Sequence, residues 1–222
     1  MGDLWDAMNE ARLPGDGHQG VTMDKTPRTH SKSYEVHRWD SEVIAVNQLI
    51  SEIREMWEFD DGLLFESFRR WDGTSTSFED TKKNLIYAQE HAVVRFEQYL
   101  VLESGVEVRL PVLETPYILE DRTGVLVVFD EKPSKFSTPE FPWFFNCPDN
   151  AAIYNADGSL RFQLQSTQGI GSYIGIVHFT RTPDNPNALG VLVGTLGHDP
   201  EWLNLVDPDS PKLISTGKWI RY

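Results

Sequence analysis

The spacing of apolar positions divides the chain into three stretches. Over residues 1–34 large apolar side chains are sparse, and Pro14, Gly15, Gly17, Gly20, Pro27 and a run of Thr and Ser take their place. Too little apolar surface is available there to offset the entropy of ordering the backbone, so a flexible arm is expected, with a short anchor at Leu4-Trp5 and Met8. Next, Val43, Val46, Ile50, Ile53 and Trp57 recur at spacings of three and four behind Asp40 or Ser41. That period predicts an amphipathic helix from Asp40 to Asp61, stopped by Gly62, with Glu42, Glu52, Glu55 and Glu58 mostly on its polar side.

The following segments mix both periods. Leu63 to Phe68 reads as a strand bounded by Asp72-Gly73. Ser77 can cap a second helix, with Asp80 standing where a capping box has Glu or Gln. Leu85, Ala88, Ala92 and Phe96 fit a helical face, yet Val94, Phe96, Leu100 and Leu102 also alternate as a strand. The helix is therefore placed to about His91, followed by a hairpin that turns at Ser104-Gly105 and returns over Val106 to Val112. Val125 to Phe129 is an unbroken apolar run whose β-branched content predicts a strand buried on both faces.

From Pro133 onward charge falls and Pro, Gly and aromatic residues rise. Ala152 to Tyr154 and Leu160 to Leu164 flank a turn at Asn155–Ser159. Tyr173 to Phe179 and Leu189 to Leu196 flank a Pro183–Asn187 loop, and Trp202 to Val206, Lys212 to Ile214 and Lys218 to Tyr222 complete the set. The expected fold class is α+β: an acidic N-terminal helical and strand part, then an antiparallel β-sheet-rich part. Residues 35–222 are expected to form one domain, with a sub-boundary near 133–148.

Composition narrows the function classes. The chain has 222 residues, 40% hydrophobic and 24% charged, which is ordinary globular material. Thirty-four acidic residues against 20 basic give a net charge of −14, which argues against binding nucleic acid or an anionic membrane through phosphates. The acidity sits early: 27 acidic and 15 basic residues over 1–140, but 7 and 5 over 141–222. No basic leader with an apolar run and no spanning apolar stretch is visible, so a cytoplasmic protein is expected. Cys147 is the sole cysteine, which excludes an internal disulfide framework.

Candidate chemistry is thin, and no catalytic residue, metal or cofactor is assigned. Gly169-Ile170-Gly171 lacks the third glycine of a dinucleotide loop, since Ile174 stands there, and it leads into a strand pattern. It reads as a glycine-rich turn. Asp207-Pro208-Asp209-Ser210 alternates carboxylates without the glycine and distal glutamate of a calcium loop, and reads as a turn. Cys147 has no local cation to activate it. Phe136, Phe141, Trp143, Phe144 and Phe145 read as a core plug between the two parts. His178, Asp184 and His198 would make a small hydrolase or transferase site in the β-rich part if folding brought them together.

The acidic stretch is the most informative feature. Nine acidic residues stand against two basic ones between Glu35 and Glu66. A one-sign field speeds capture of a basic partner. Glu52, Glu55, Glu58, Asp60 and Asp61 are the expected partner-binding carboxylates, with Trp57 or Phe59 as apolar anchor. Charge reversal at Glu55, Glu58 and Asp61 is then expected to weaken binding without unfolding the chain.

The segment Ile153-Tyr154-Asn155-Ala156-Asp157-Gly158-Ser159-Leu160-Arg161-Phe162, with the ending Leu205-Val206-Asp207-Pro208-Asp209-Ser210 to Trp219-Ile220-Arg221-Tyr222, resembles small bacterial immunity proteins, the antidotes to polymorphic or secreted toxins. The resemblance spans about the last 80 residues and implies a non-enzymatic protein that binds one toxin and blocks it. A third expectation is a structural or accessory subunit that assembles through the arm and the aromatic segment.

Overall fold

The computed structural model describes residues 48–130, 144–180, 188–195 and 198–220. The expected arm at 1–34, the start of the expected first helix (Asp40 to Val46), Phe136, Phe141, Trp143 and the Pro183–Asn187 loop with Asp184 lie outside the described residues.

Among the described residues twelve strands and one helix follow one another: β1 (Ile50–Phe59), β2 (Leu64–Arg70), α1 (Phe78–Glu90), β3 (Val93–Leu102), β4 (Glu107–Arg109), β5 (Pro116–Ile118), β6 (Gly124–Val128), β7 (Ala151–Asn155), β8 (Leu160–Gln163), β9 (Ser172–Thr180), β10 (Ala188–Thr195), β11 (His198–Leu205) and β12 (Ile214–Ile220). They form three antiparallel sheets of four strands, ordered β2-β1-β3-β4, β5-β6-β7-β8 and β12-β11-β10-β9. The second and third sheets are plain meanders. In the first, α1 carries the chain across β1, from β2 on one side to β3 on the other.

The helix expected from Asp40 to Asp61 is not found where it is described: residues 50–59 are strand β1. Ile53, Glu55 and Trp57 face one way and Glu52, Arg54, Met56 and Glu58 the other, a period of two. A register shift between Ile50 and Glu52 brings Ile50 into the same core as Ile53 and so produces the three-residue spacing that mimics a helix. Among the described residues the fold is thus mostly antiparallel sheet with one helix. The expected strand at Lys212 to Ile214 is likewise corrected: Lys212 makes a lone parallel bridge to Gln165, and Ile214 opens β12.

The sheets stack in three layers. Ile50, Ile53, Leu100 and Leu102 of the first sheet pack on Val125, Val127, Ala152 and Tyr154 of the second. The other side of the second sheet, with Leu126, Ala151 and Ile153, packs on Ile174, Leu189, Val191 and Val193 of the third. The ladder explains this division, since Val127 pairs with Ala152 and Val125 with Tyr154 on one side, while Leu126 pairs with Ile153 on the other. The middle sheet is buried on both faces, as the apolar run at Val125 to Phe129 indicates. Gly124 begins β6 because a Cβ there would stand 2.3 Å from the Tyr154 carbonyl oxygen.

Two polar clamps hold the layers. Arg122, with φ of 62°, accepts a backbone bond from Ile50 N at 2.9 Å and returns one from its Nε to the Ile50 oxygen at 2.9 Å. Its guanidinium also lies 4.5 Å over the Trp71 ring and pairs with Glu103. Asn150, buried, donates to the carbonyls of Phe129 and Ile174 at 2.7 and 2.8 Å and accepts from Ile174 N at 2.7 Å. It ties the middle sheet to β9.

Helix α1 forms as the sequence indicates. Ser77 Oγ accepts the Asp80 amide at 3.1 Å and donates to its carboxylate at 2.8 Å, a capping exchange with Asp in the usual Glu position. His91 takes the C-cap, its amide bonded to the Tyr87 carbonyl. The helix buries no residue fully and rests on the first sheet through Tyr87, which meets Phe59 and Phe65 edge-on with centroids 5.0 and 5.3 Å apart.

Candidate functional site

The seven expected partner-binding residues are distributed over two faces and one turn. On the outward face of the first sheet, Glu52 is only 8% exposed in its side chain and is held by Arg54 and Arg70, each at 3.0 Å. Arg54 continues to Glu66 at 2.8 Å and to Glu107. Glu58 sits 3.5 Å from Arg95, which binds Glu97 at 2.6 Å, and Arg109 closes on Glu97 at 3.0 Å. Burial alone would raise the Glu97 carboxyl, but the Arg95 bond, the Tyr99 hydroxyl and the charges of Arg109 and Arg95 outweigh it and hold it below the ordinary range. This face is therefore an interleaved lattice of carboxylates and guanidinium groups, and its field is not of one sign.

Glu55 lies on the other face, turned toward the interior beside Ser67 at 3.2 Å and Arg69 at 3.9 Å. Burial pushes its carboxyl up, with Arg69 and Ser67 opposing. It stands opposite Gln98 across the β1/β3 ladder. Gln98 donates to the Glu114 carbonyl at 3.1 Å, and its Oε1 and the Tyr154 hydroxyl have no hydrogen-bond partner among the described residues. Burial also raises Glu114 and Tyr154. Charge reversal at Glu55 would force a lysine into this interior and is no clean probe of binding. Trp57 is half-buried against Phe96, centroids 4.4 Å apart, and Phe59 is 2% exposed; neither is a free anchor.

Asp60 and Asp61 are the two that stand exposed, at the turn between β1 and β2. Their described ion pairs are to His91 alone: Nδ1 lies 3.2 Å from Asp60 Oδ1 and 4.0 Å from Asp61 Oδ2. Tyr87 donates its hydroxyl to Asp61 Oδ2 and stacks flat on the His91 ring, 4.2 Å between centroids at 12°. The bond to Asp61, with some desolvation and the nearby carboxylates, leaves the Tyr87 phenol pushed up to about 12 and firmly protonated. Asp60 N donates to the Ala92 oxygen at 2.9 Å, fixing the turn against the α1–β3 junction. Beside it Leu63 and Leu64 are 42% and 58% exposed.

The remaining candidates are placed as follows. His178 pairs with Gly190 and His198 with Thr195, on opposite sides of β10 and five positions apart along it. At about 3.3 Å per residue along a strand and about 4.8 Å between strands, their backbones lie on the order of 20 Å apart. Gly169 and Gly171, with φ of 70° and 86°, form an exposed turn that enters strand β9. Asp209 N donates to Asp207 Oδ1 at 2.9 Å, as a turn requires. Phe144 and Phe145 pack on Phe129 and belong to the core. Among the described residues no helix is long and apolar enough to cross a membrane.

Sequence reasoning missed Arg54, Arg95, Arg109, Tyr87 and His91. The signal for the ion lattice is present as opposite charges two apart, Glu52/Arg54 and Arg95/Glu97, which share a face only in a strand. Nothing in the sequence brings His91 to Asp60. Comparison with protein-family models, with curated proteins and with solved structures finds no match to this chain.

Proposed function

We propose that this chain is a non-enzymatic acidic binding protein whose partner is a basic protein, and that it acts as an immunity protein, neutralising a toxin. The observation that supports this is the β1–β2 turn, where Asp60 and Asp61 have no described lysine or arginine partner and Leu63 and Leu64 stand exposed beside them. Apolar contact flanked by uncompensated negative charge suits a basic surface: charge steers encounter and the leucines slow release. The net charge of −14 adds a long-range field of the same sign. The arginines of the first sheet strengthen this asymmetry, because they are engaged with glutamates.

The test is capture from host lysate at low and physiological salt, followed by binding kinetics with the recovered partner. A basic toxin-like protein retained at near-equal amounts is expected. Asp60→Lys with Asp61→Lys should slow association at least tenfold and flatten its salt dependence. Leu64→Asp should speed dissociation. No retained basic protein, or unchanged kinetics in the double reversal, removes this reading.

A further inference from the structure

Asp60, Asp61 and His91 bring three donor atoms within 4.8 Å of one another. The donors come from two segments, the β1–β2 turn and the α1 C-cap, locked together by the Asp60–Ala92 backbone bond. Ligands about 2 Å from one cation, at octahedral or tetrahedral angles, lie roughly 2.8–3.4 Å apart. His91 Nδ1 and Asp60 Oδ1, at 3.2 Å, already fit that spacing. His91 Nδ1 and Asp61 Oδ2 stand 4.0 Å apart, so closing on a cation takes a shift of about 0.5–1 Å against a carboxylate that also accepts from Leu63 N at 3.0 Å and from the Tyr87 hydroxyl.

Three further features favour a cation here. Tyr87 holds both Asp61, through its hydroxyl, and the His91 ring, through stacking, so two of the three donors are oriented by one side chain. The last-turn carbonyls of α1 end at the same corner, and that turn carries no basic residue. The two carboxylates adjoin each other, with His91 as their described ion-pair partner. One imidazole nitrogen with two carboxylate oxygens selects a transition-metal cation over magnesium or calcium, which prefer oxygen alone.

We propose that Asp60, Asp61 and His91 form a binding site for a divalent transition-metal cation, Zn²⁺ foremost, with water completing its coordination. The site shares Asp60 and Asp61 with the proposed partner surface, and His91→Gln separates the two, because it removes a metal donor and leaves both carboxylate charges in place.

The test is calorimetric titration of Zn²⁺ into the full chain after chelator treatment, with Mg²⁺ as the comparison ion. One saturable Zn²⁺ site is expected, at least tenfold tighter than Mg²⁺. Affinity should fall at least tenfold in His91→Gln and in Asp60→Asn, while the His18→Gln, His30→Gln, His37→Gln triple variant binds as the parent does. Thermal unfolding of each variant without metal checks that it folds. Mn²⁺ added to the parent should broaden the NMR signals of the Tyr87 and His91 rings before others. Absence of saturable Zn²⁺ binding overturns the site, as does binding that survives His91→Gln and Asp60→Asn or that is lost in the triple variant.

Discussion

Arg95 Nη2 donates to Glu97 Oε2 at 2.6 Å from two residues away on the same face of β3. Tyr99 donates to the same oxygen at 2.8 Å, and Arg109 holds the other at 3.0 Å. A buried carboxylate is thus satisfied by three half-exposed donors. Glu97→Gln should cost about 1–2 kcal/mol at neutral pH, a modest figure because the guanidinium partners are wetted. The folded carboxyl is held below its ordinary value, so its stabilisation is full above the unfolded Glu range near pH 4.3 and is lost as pH falls through the folded value. Urea unfolding at pH 7 and pH 3 should show the gap between parent and variant shrinking in acid.

Glu55 has the opposite sign. Its carboxyl is pushed up by burial, so the folded state holds the proton more tightly than the unfolded state. Stability is then highest below the unfolded Glu range and is lost as pH rises through the folded value. Glu55→Gln keeps an acceptor for Ser67 and removes the half-buried charge. Its melting temperature should match the parent in acid and exceed it by a few degrees at pH 7, read by a thermal scan across pH.

Asn150 makes two bonds to Ile174 of β9 and one to the Phe129 carbonyl beside β6, all of 2.8 Å or shorter. Asn150→Ala leaves two carbonyls and one amide unpaired in a buried seam. A loss of about 2–4 kcal/mol is expected. Hydrogen exchange at Ile174 should rise more than at Leu100, which lies in the other core.

Helix α1 has no fully buried residue, so its cap carries an unusual share of its stability. Ser77→Ala should cost about 1 kcal/mol locally. Amide exchange over residues 79–82 should quicken while the sheet amides stay unchanged. Uniform quickening throughout would show that the helix unfolds only with the whole chain.

The β-rich part was legible because its turns carry their own chemistry. Gly105 and Gly158, with φ of 82° and 78°, mark hairpins that the sequence pattern places within a residue or two. Ser77 and His91 bound the helix as the capping pattern indicates. The first strand was not legible, because the shift at Ile50 imitates a helical interval and Glu52, Glu55 and Glu58 stand three apart, a spacing that also suits a helix. Tertiary pairing with β2 and β3 decides it. The carboxylates expected on one helical stripe are divided for the same reason: a run on a helix is a stripe of one sign, whereas on a strand it splits between two faces. Asp60 and Asp61 are exposed, as a turn exposes its residues under either reading.

The doubly covered middle layer sets an order on assembly. Each sheet is built from strands close in sequence, so each can form early from local contacts. The second sheet cannot persist in water by itself, since Val125 and Val127 need the first layer and Leu126 and Ile153 need the third. A ribosome-bound chain ending near residue 170 would have one of these sides covered and the other naked. Until β9 to β12 arrive, that naked side is a sticky surface for like chains. The last quarter of the sequence therefore serves as the cover of one face of the middle sheet, and truncations there should harm solubility far more than their length suggests.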